Sequence, residues 1–237
     1  RPFEWGADIV THSTTKYMDG HGVAVGGCIV DSGNFDWMAH AEKFPGLTTP
    51  DESYHGITYA ERFGKGAYIT KATAQLMRDF GSIQSPQNAF YLNLGLESLH
   101  LRMERHCQNA LAVAKFLKAQ EKVAWVHYAD LEGDEYHELA KKYCPKGTCG
   151  VLAFGIKGGR EAATRFMDSL KLATIATHVA DCRTCVLHPA STTHRQLTSQ
   201  QLEEAGVAED LIRFSVGLED AEDIIADIAQ AIEAATK

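Results

Sequence analysis

Three observations in the sequence predict an α/β fold. Two early runs, residues 7–12 and 23–30, are apolar enough to be strands covered on both faces, as in a parallel or mixed sheet. A helical pattern starts after Ser85-Pro86 and persists to about Gln120. Beyond it, short apolar strand-like runs alternate with helical segments to the C-terminus.

Each element has a local justification. The run ending at Val30 stops at Asp31-Ser32-Gly33, which has turn chemistry. Residues 34–64 hold Pro45, Pro50 and five glycine-or-proline breaks in all, so they are predicted to be irregular and surface-lying. Long connections of this kind tend to be functional or interfacial. A helix is predicted over about 66–80, ending at Gly81. In the long helix, Met103, Cys107, Ala110, Ala114 and Leu117 recur at alternating spacings of four and three, one core-facing stripe. Arg102, Glu104 and Arg105 fall off that stripe and are assigned to the surface or to a subunit contact. Strands are predicted at Val123–Tyr128, Gly150–Ile156, Thr184–Leu187 and Leu211–Leu218, with helices at about 134–143 and 160–170. The last helix, about 220–235, groups Ile224, Ile225, Ile228 and Ile232 on one face. Asp220, Glu222 and Asp223 occupy its first turn, where the helix dipole favours acids. The expected division is residues 1–100 as the tail of a larger domain and residues 101–237 as an α/β C-terminal domain.

Composition narrows the function classes. The hydrophobic share is 45% and the charged share 23%, as in a soluble globular protein. A formal charge of −8, with basic residues scattered, points away from nucleic acid as a partner. No apolar run approaches the ~20 residues of a membrane span, and no signal-peptide pattern opens the chain. Six cysteines include Cys182 and Cys185 at C-x-x-C spacing and a looser pair, Cys144 and Cys149. A four-thiolate zinc site would pair two tighter knuckles, so the cysteines read as reduced thiols and no metal is expected.

The chemistry concentrates near the start. After the first strand, Ser13, Thr15 and Lys16 bring two hydroxyls and an amine within four residues. Hydroxyls donate to phosphate oxygens, and an amine condenses with an aldehyde. Pyridoxal 5'-phosphate carries both groups. A solvated Ser/Thr turn is the alternative on these residues alone. A second candidate is the strand at 211–218, where Ile212, Phe214, Val216 and Leu218 share one face and Arg213, Ser215 and Gly217 the other. The second face offers a guanidinium beside a hydroxyl and bare backbone, suited to a small anion or equally to a solvated sheet surface.

Several segments resemble one family. They are Ser13-Thr14-Thr15-Lys16-Tyr17 with Gly20-His21-Gly22 and Gly26-Gly27, Phe44-Pro45-Gly46-Leu47, and Pro50 to Gly64. To these are added Leu101 to Cys107, His188-Pro189-Ala190-Ser191-Thr192-Thr193-His194, and Arg213-Phe214-Ser215-Val216-Gly217-Leu218-Glu219. Together they resemble the Cys/Met-metabolism PLP-dependent enzymes, which include cystathionine synthases and lyases, methionine γ-lyases and O-acetylhomoserine sulfhydrylases. The Pro50 to Gly64 stretch is most similar to the sulfhydrylase branch.

The resemblance implies a type I PLP-dependent transferase fold (aspartate aminotransferase-like), with residues 1–100 ending the large cofactor domain. It implies Lys16 as the cofactor lysine, Ser13 and Thr15 as phosphate anchors, and Arg213 as the substrate-carboxylate residue. Where lyases carry a serine that helps hold the carboxylate, and sulfhydrylases often asparagine, this chain has His178. The imidazole can donate the same hydrogen bond or stand as a satisfied histidine. The implied reaction is γ-replacement, in which O-acetyl-L-homoserine and sulfide, or methanethiol, give homocysteine, or methionine, and acetate. A γ-lyase acting on methionine or cystathionine is the neighbouring expectation. A cytoplasmic homotetramer is also implied. The chain opens on Arg1 close to Lys16, whereas family members carry a large N-terminal segment there. It is therefore expected to be the C-terminal part of a larger enzyme, with a non-catalytic fragment as the other possibility.

Overall fold

The computed structural model describes residues 1–236 and divides into two units. The first comprises Arg1–Thr14 and Val25–Phe90, and the second comprises Thr15–Ala24 with the chain from Tyr91 onward.

In the first unit, β1 (Ile9–Ser13) and β2 (Gly27–Asp31) pair antiparallel, from Ile9 opposite Asp31 to Ser13 opposite Gly27. Thr14 N–H carries the ladder one step further, to the Gly26 carbonyl at 2.9 Å. The second strand starts later than its apolar run suggests, and Val25 is 79% exposed. β1 and β2 pair only with each other among the described residues and are largely exposed, so these residues do not supply the cover on both faces that the apolar runs call for. Four short helices come next: α1 (Pro45–Thr48), α2 (Tyr59–Phe63), α3 (Ala67–Lys71) and α4 (Arg78–Phe80). The single helix predicted over 66–80 is interrupted by a π-helical turn at Ala72–Met77. Trp37, Leu47, Tyr59, Ala60 and Ala67 form a small core, with Trp37 stacked on Tyr68 at 5.7 Å.

The long helix is α5 (Pro86–Lys118). After it come β3 (Val123–His127), α6 (His137–Tyr143), β4 (Val151–Ile156), α7 (Gly159–Ser169) and β5 (Thr174–Ile175). The remaining elements are β6 (Cys185–Leu187), α8 (Ser199–Glu204), β7 (Leu211–Ser215) and α9 (Ala221–Ala235). The five strands of the second unit lie in the order β3-β4-β7-β6-β5, antiparallel except for β5 beside β6. Leu152, Phe154 and Ile156 of β4 join Ile212 and Phe214 of β7 in one core. Also in it are Val113 and Leu117 of α5, Phe166 of α7, and Ile224, Ile228 and Ile232 of α9. Each such side chain contributes about 1.5–3 kcal/mol on burial.

Two elements of the second unit lie outside the sequence expectations, as do α1 and α2 within the stretch predicted to be irregular. β5 is only two residues long, too short for a period to register. The start of α8 is written in the sequence, because Thr198 and Gln201 form a reciprocal capping box. β7 ends three residues earlier than its apolar alternation suggests. Beyond Ser215 the backbone bonds change partners: Val216 N–H turns to Gly150, and Leu218 N–H to Cys182, at 2.8 and 2.7 Å.

The stripe on α5 holds at its C-terminal half, where Ala110, Ala114 and Leu117 are fully buried. Towards the N-terminus the buried face continues through Asn109, His106 and Arg102. Arg102 is therefore not a surface residue: it is 5% exposed, and its guanidinium is consumed by backbone carbonyls. No helix among the described residues is long and apolar enough to cross a membrane.

Candidate active site

Lys16 sits in a turn that begins where β1 ends. Ser13, the last residue of β1, is exposed, Thr14 is buried, and Thr15 and Lys16 are half-buried. The Lys16 carbonyl accepts from Gly20 N–H at 2.8 Å, closing the turn. Asp19, 1% exposed, shapes the next few residues: its Oδ2 accepts from the backbone N–H groups of His21 and Val23 at 3.3 and 3.1 Å.

Within the second unit, the segment between β5 and β6 supplies His178 and Asp181. Burial holds the His178 imidazole below the ordinary histidine range, the Lys16 ammonium lowers it further, and Asp181 and Asp19 oppose both. The ring thus has an amine and two carboxylates in electrostatic reach. Its Nε2 is buried and has no hydrogen-bond partner among the described residues. Asp181, 2% exposed, is met by Arg183 through Nε–Oδ1 and Nη2–Oδ2 contacts of 3.0 Å each.

Arg213 enters from β7, opposite Ala153 of β4 and Leu187 of β6. Its Nη2 donates to the carbonyls of Thr177 and His178 at 2.9 and 3.2 Å. The guanidinium and the His178 backbone are therefore in direct contact. Arg213 also lines a cavity of about 450 Å³ together with His127, Tyr136, Thr148 and Ala153.

The hydroxyl and backbone expected beside Arg213 have a different use. Ser215 Oγ accepts from Ala180 N–H at 2.8 Å, and Gly217 N–H donates to Thr184 Oγ1 at 2.9 Å. Both hold the 180–184 loop rather than an anion. Ala180 itself has φ of 69°, a left-handed conformation in a residue other than glycine. A loop held in that state needs firm anchors, and these two bonds supply them.

Of the residues singled out in the sequence, Thr15, Lys16, His178 and Arg213 fall in the second unit and Ser13 in the first. Three further residues, Asp19, Asp181 and Arg102, carry no such mark in the sequence. Asp19 and Asp181 are buried carboxylates in loops, and no helical or strand period singles out such positions. Arg102 is masked by the apolar stripe beside it. A half-buried amine preceded by hydroxyls, and a guanidinium on β7 of the unit that holds the amine, are the donor set that an aldehyde-bearing phosphate and an amino-acid carboxylate require. The residues present therefore fit pyridoxal phosphate.

Comparison with known proteins agrees. Residues 1–233 match the family model for Cys/Met metabolism PLP-dependent enzymes. The chain is 50% identical over 235 residues to homocysteine synthase of Schizosaccharomyces pombe, covering 99% of this chain and 55% of that protein. It is 46% identical over 232 residues to O-acetyl-L-homoserine sulfhydrylase 1 of Thermus thermophilus, covering 98% of this chain and 55% of that protein. Among solved structures it is similar to a putative O-acetylhomoserine (thiol)-lyase of Campylobacter jejuni that contains N'-pyridoxyl-lysine-5'-monophosphate. The TM-score is 0.92 at 38% identity, covering 98% of this chain and 55% of that one. The chain thus spans about half the length of the relatives it matches.

Proposed function

Since this chain belongs to the Cys/Met-metabolism PLP-dependent enzyme family, we propose that it carries the reactive lysine and the substrate arginine of a γ-replacement enzyme. The substrates are O-acetyl-L-homoserine and sulfide, and the products L-homocysteine and acetate; methanethiol in place of sulfide gives L-methionine. The observation that carries this reading is the grouping of Lys16, His178 and Arg213 within one unit, with Arg213 bonded to the His178 backbone. Identities of 46–50% to proteins named for homocysteine synthesis and O-acetylhomoserine sulfhydrylation support the choice of substrates.

When bound, pyridoxal phosphate supplies an electron sink for charge developing on the amino acid. The chain's own residues have distinct tasks. Ser13 and Thr15 hold the phosphate, which fixes the cofactor beside the amine of Lys16. That amine would take the proton at Cα and serve the proton transfer at Cβ, which would let acetate leave from Cγ and the sulfur nucleophile take its place. Arg213 holds the α-carboxylate through its planar fork, a charge-assisted contact of about 1.5–3 kcal/mol per bond. His178 donates a further hydrogen bond to the same carboxylate.

The protein acts in methionine and cysteine biosynthesis as a cytoplasmic homotetramer, with residues 101–237 as its C-terminal domain. Exposed apolar side chains such as Phe80 (79%) and Ile83 (69%) call for cover, whether from another subunit or from the rest of a longer chain. Lys16→Ala in the cofactor-loaded enzyme is expected to abolish homocysteine formation while leaving the circular dichroism unchanged. Retained turnover would defeat the assignment. Release of 2-oxobutanoate and ammonia without any sulfur nucleophile would redirect it to a γ-lyase.

A further inference from the structure

We propose that Arg102 is a positioning residue that fixes the backbone on which Lys16 is mounted. The inference rests on the reading of Lys16 as the cofactor lysine. Arg102 lies on α5, yet two of its hydrogen bonds end 84 and 85 positions away, on the two residues after Lys16. Nη1 donates to the Tyr17 carbonyl at 2.8 Å, and Nη2 to the Met18 carbonyl at 3.4 Å and the Gly95 carbonyl at 2.7 Å. Nε donates to Ser98 Oγ at 3.1 Å.

All of these bonds end on neutral oxygens. A buried cation with no carboxylate beside it is costly unless every donor is satisfied. An apolar side chain of similar volume would bury no charge but would leave the Tyr17 and Met18 carbonyls without this donor. A guanidinium has something an apolar residue lacks: a rigid planar fork that reaches several carbonyls at fixed angles. Here the fork grips the turn next to Lys16.

The surroundings are cut to admit it. Gly95 lies where α5 crosses the same turn, and a Cβ there would run into the carbonyl oxygens of Met18 and Asp19. At Gly20, φ is 75° and a Cβ would overlap the Arg102 guanidinium. From the other side, Cys182 N–H donates to the Gly20 carbonyl at 2.8 Å. The turn from Lys16 to Gly20 is therefore held by Arg102 on one flank and by the 180–184 loop on the other. Freed from one flank, it would leave the amine misaimed with the fold still intact.

The test uses the pyridoxal-phosphate-loaded enzyme and three variants: Arg102→Gln, Arg102→Lys and Gly95→Ala. Two readouts are taken: the pH midpoint of the visible band of the Lys16–cofactor linkage, and the kcat and KM for O-acetyl-L-homoserine. Arg102→Gln is expected to move the midpoint and to lower kcat about 10- to 100-fold with KM little changed, as a misplaced reactive group does. Gly95→Ala keeps the guanidinium but displaces the Met18 and Asp19 carbonyls of the same turn, so it should reproduce both changes. Arg102→Lys should recover part of each. Folded Arg102→Gln and Gly95→Ala proteins with wild-type midpoint and kcat would overturn the proposal. So would failure of both variants to fold, since Arg102 would then be a structural residue. If borohydride reduction of the wild type fixes the cofactor on a lysine other than Lys16, the underlying reading falls instead.

Discussion

Tyr17 meets His106 edge to face, with ring centroids 5.2 Å apart and planes inclined at 67°. Each ring is also tied to the sheet. Tyr17 Oη accepts from Gly150 N–H at 2.8 Å, and His106 Nδ1 donates to the Val216 carbonyl at 2.7 Å. Val216 N–H in turn donates to the Gly150 carbonyl at 2.8 Å. The residue after Lys16 is therefore locked to the start of β4 and the end of β7, the strand that presents Arg213. The backbone next to Lys16 is thereby linked to that of β7 through short contacts.

Tyr17→Phe tests that lock. The ring contact survives, but Gly150 N–H loses its acceptor inside the protein, a loss of about 1–3 kcal/mol. A lower urea midpoint with an unchanged m-value is expected. A midpoint equal to wild type would show that the hydrogen bond contributes nothing.

Asp227 gives a pH-dependent prediction. Burial alone would raise its carboxyl, but backbone N–H groups of Ala173, Lys171 and Leu172 outweigh this and hold it below the usual carboxylate range. They donate at 3.0, 2.8 and 2.9 Å respectively. With the folded value below the unfolded one, the stabilisation is complete above about pH 4 and is lost as pH falls through the folded value. Asp227→Ala should cost about 2–4 kcal/mol at pH 7 and flatten the acid limb of the stability profile. Parallel acid limbs in wild type and variant would contradict this.

Arg213→Lys separates charge from shape. An ammonium keeps the charge but loses the two-pronged contact with a carboxylate. The expected outcome is a KM for O-acetyl-L-homoserine raised about 10- to 150-fold, with kcat affected far less. Steady-state rates decide it, and an unchanged KM would remove Arg213 from the substrate contact.

Legibility in the sequence tracks the source of each signal. The helices and the inner strands are visible because burial against one core imposes a period: Ile224, Ile228 and Ile232 are all buried, as their spacing requires. The cofactor lysine stands out because its neighbours are chemically unusual. The hidden features depend on chain segments that meet only after folding. Nothing local distinguishes Arg102 from Arg105 on the same helix, yet one is buried and the other half-exposed. Ser215 reads as part of an anion site, since a strand face does not reveal that a loop will take its hydroxyl. The exposed apolar side chains of β2 mislead in the opposite direction, because apolar content signals a need for cover without showing what provides it.

The strand order β3-β4-β7-β6-β5 has a consequence for biosynthesis. The central strand of this sheet, β7 at Leu211–Ser215, is also the last of its strands to leave the ribosome. Until it arrives, β4 and β6 have no partner between them, and α9, which comes later still, is not yet available to cover Phe154 and Phe166. The second unit therefore closes in a single late step, when nearly all of its residues have been translated. Between the synthesis of β4 and that of β7 its nascent chain presents unpaired β-edges, a state that exposes a polypeptide to aggregation and makes it dependent on chaperones.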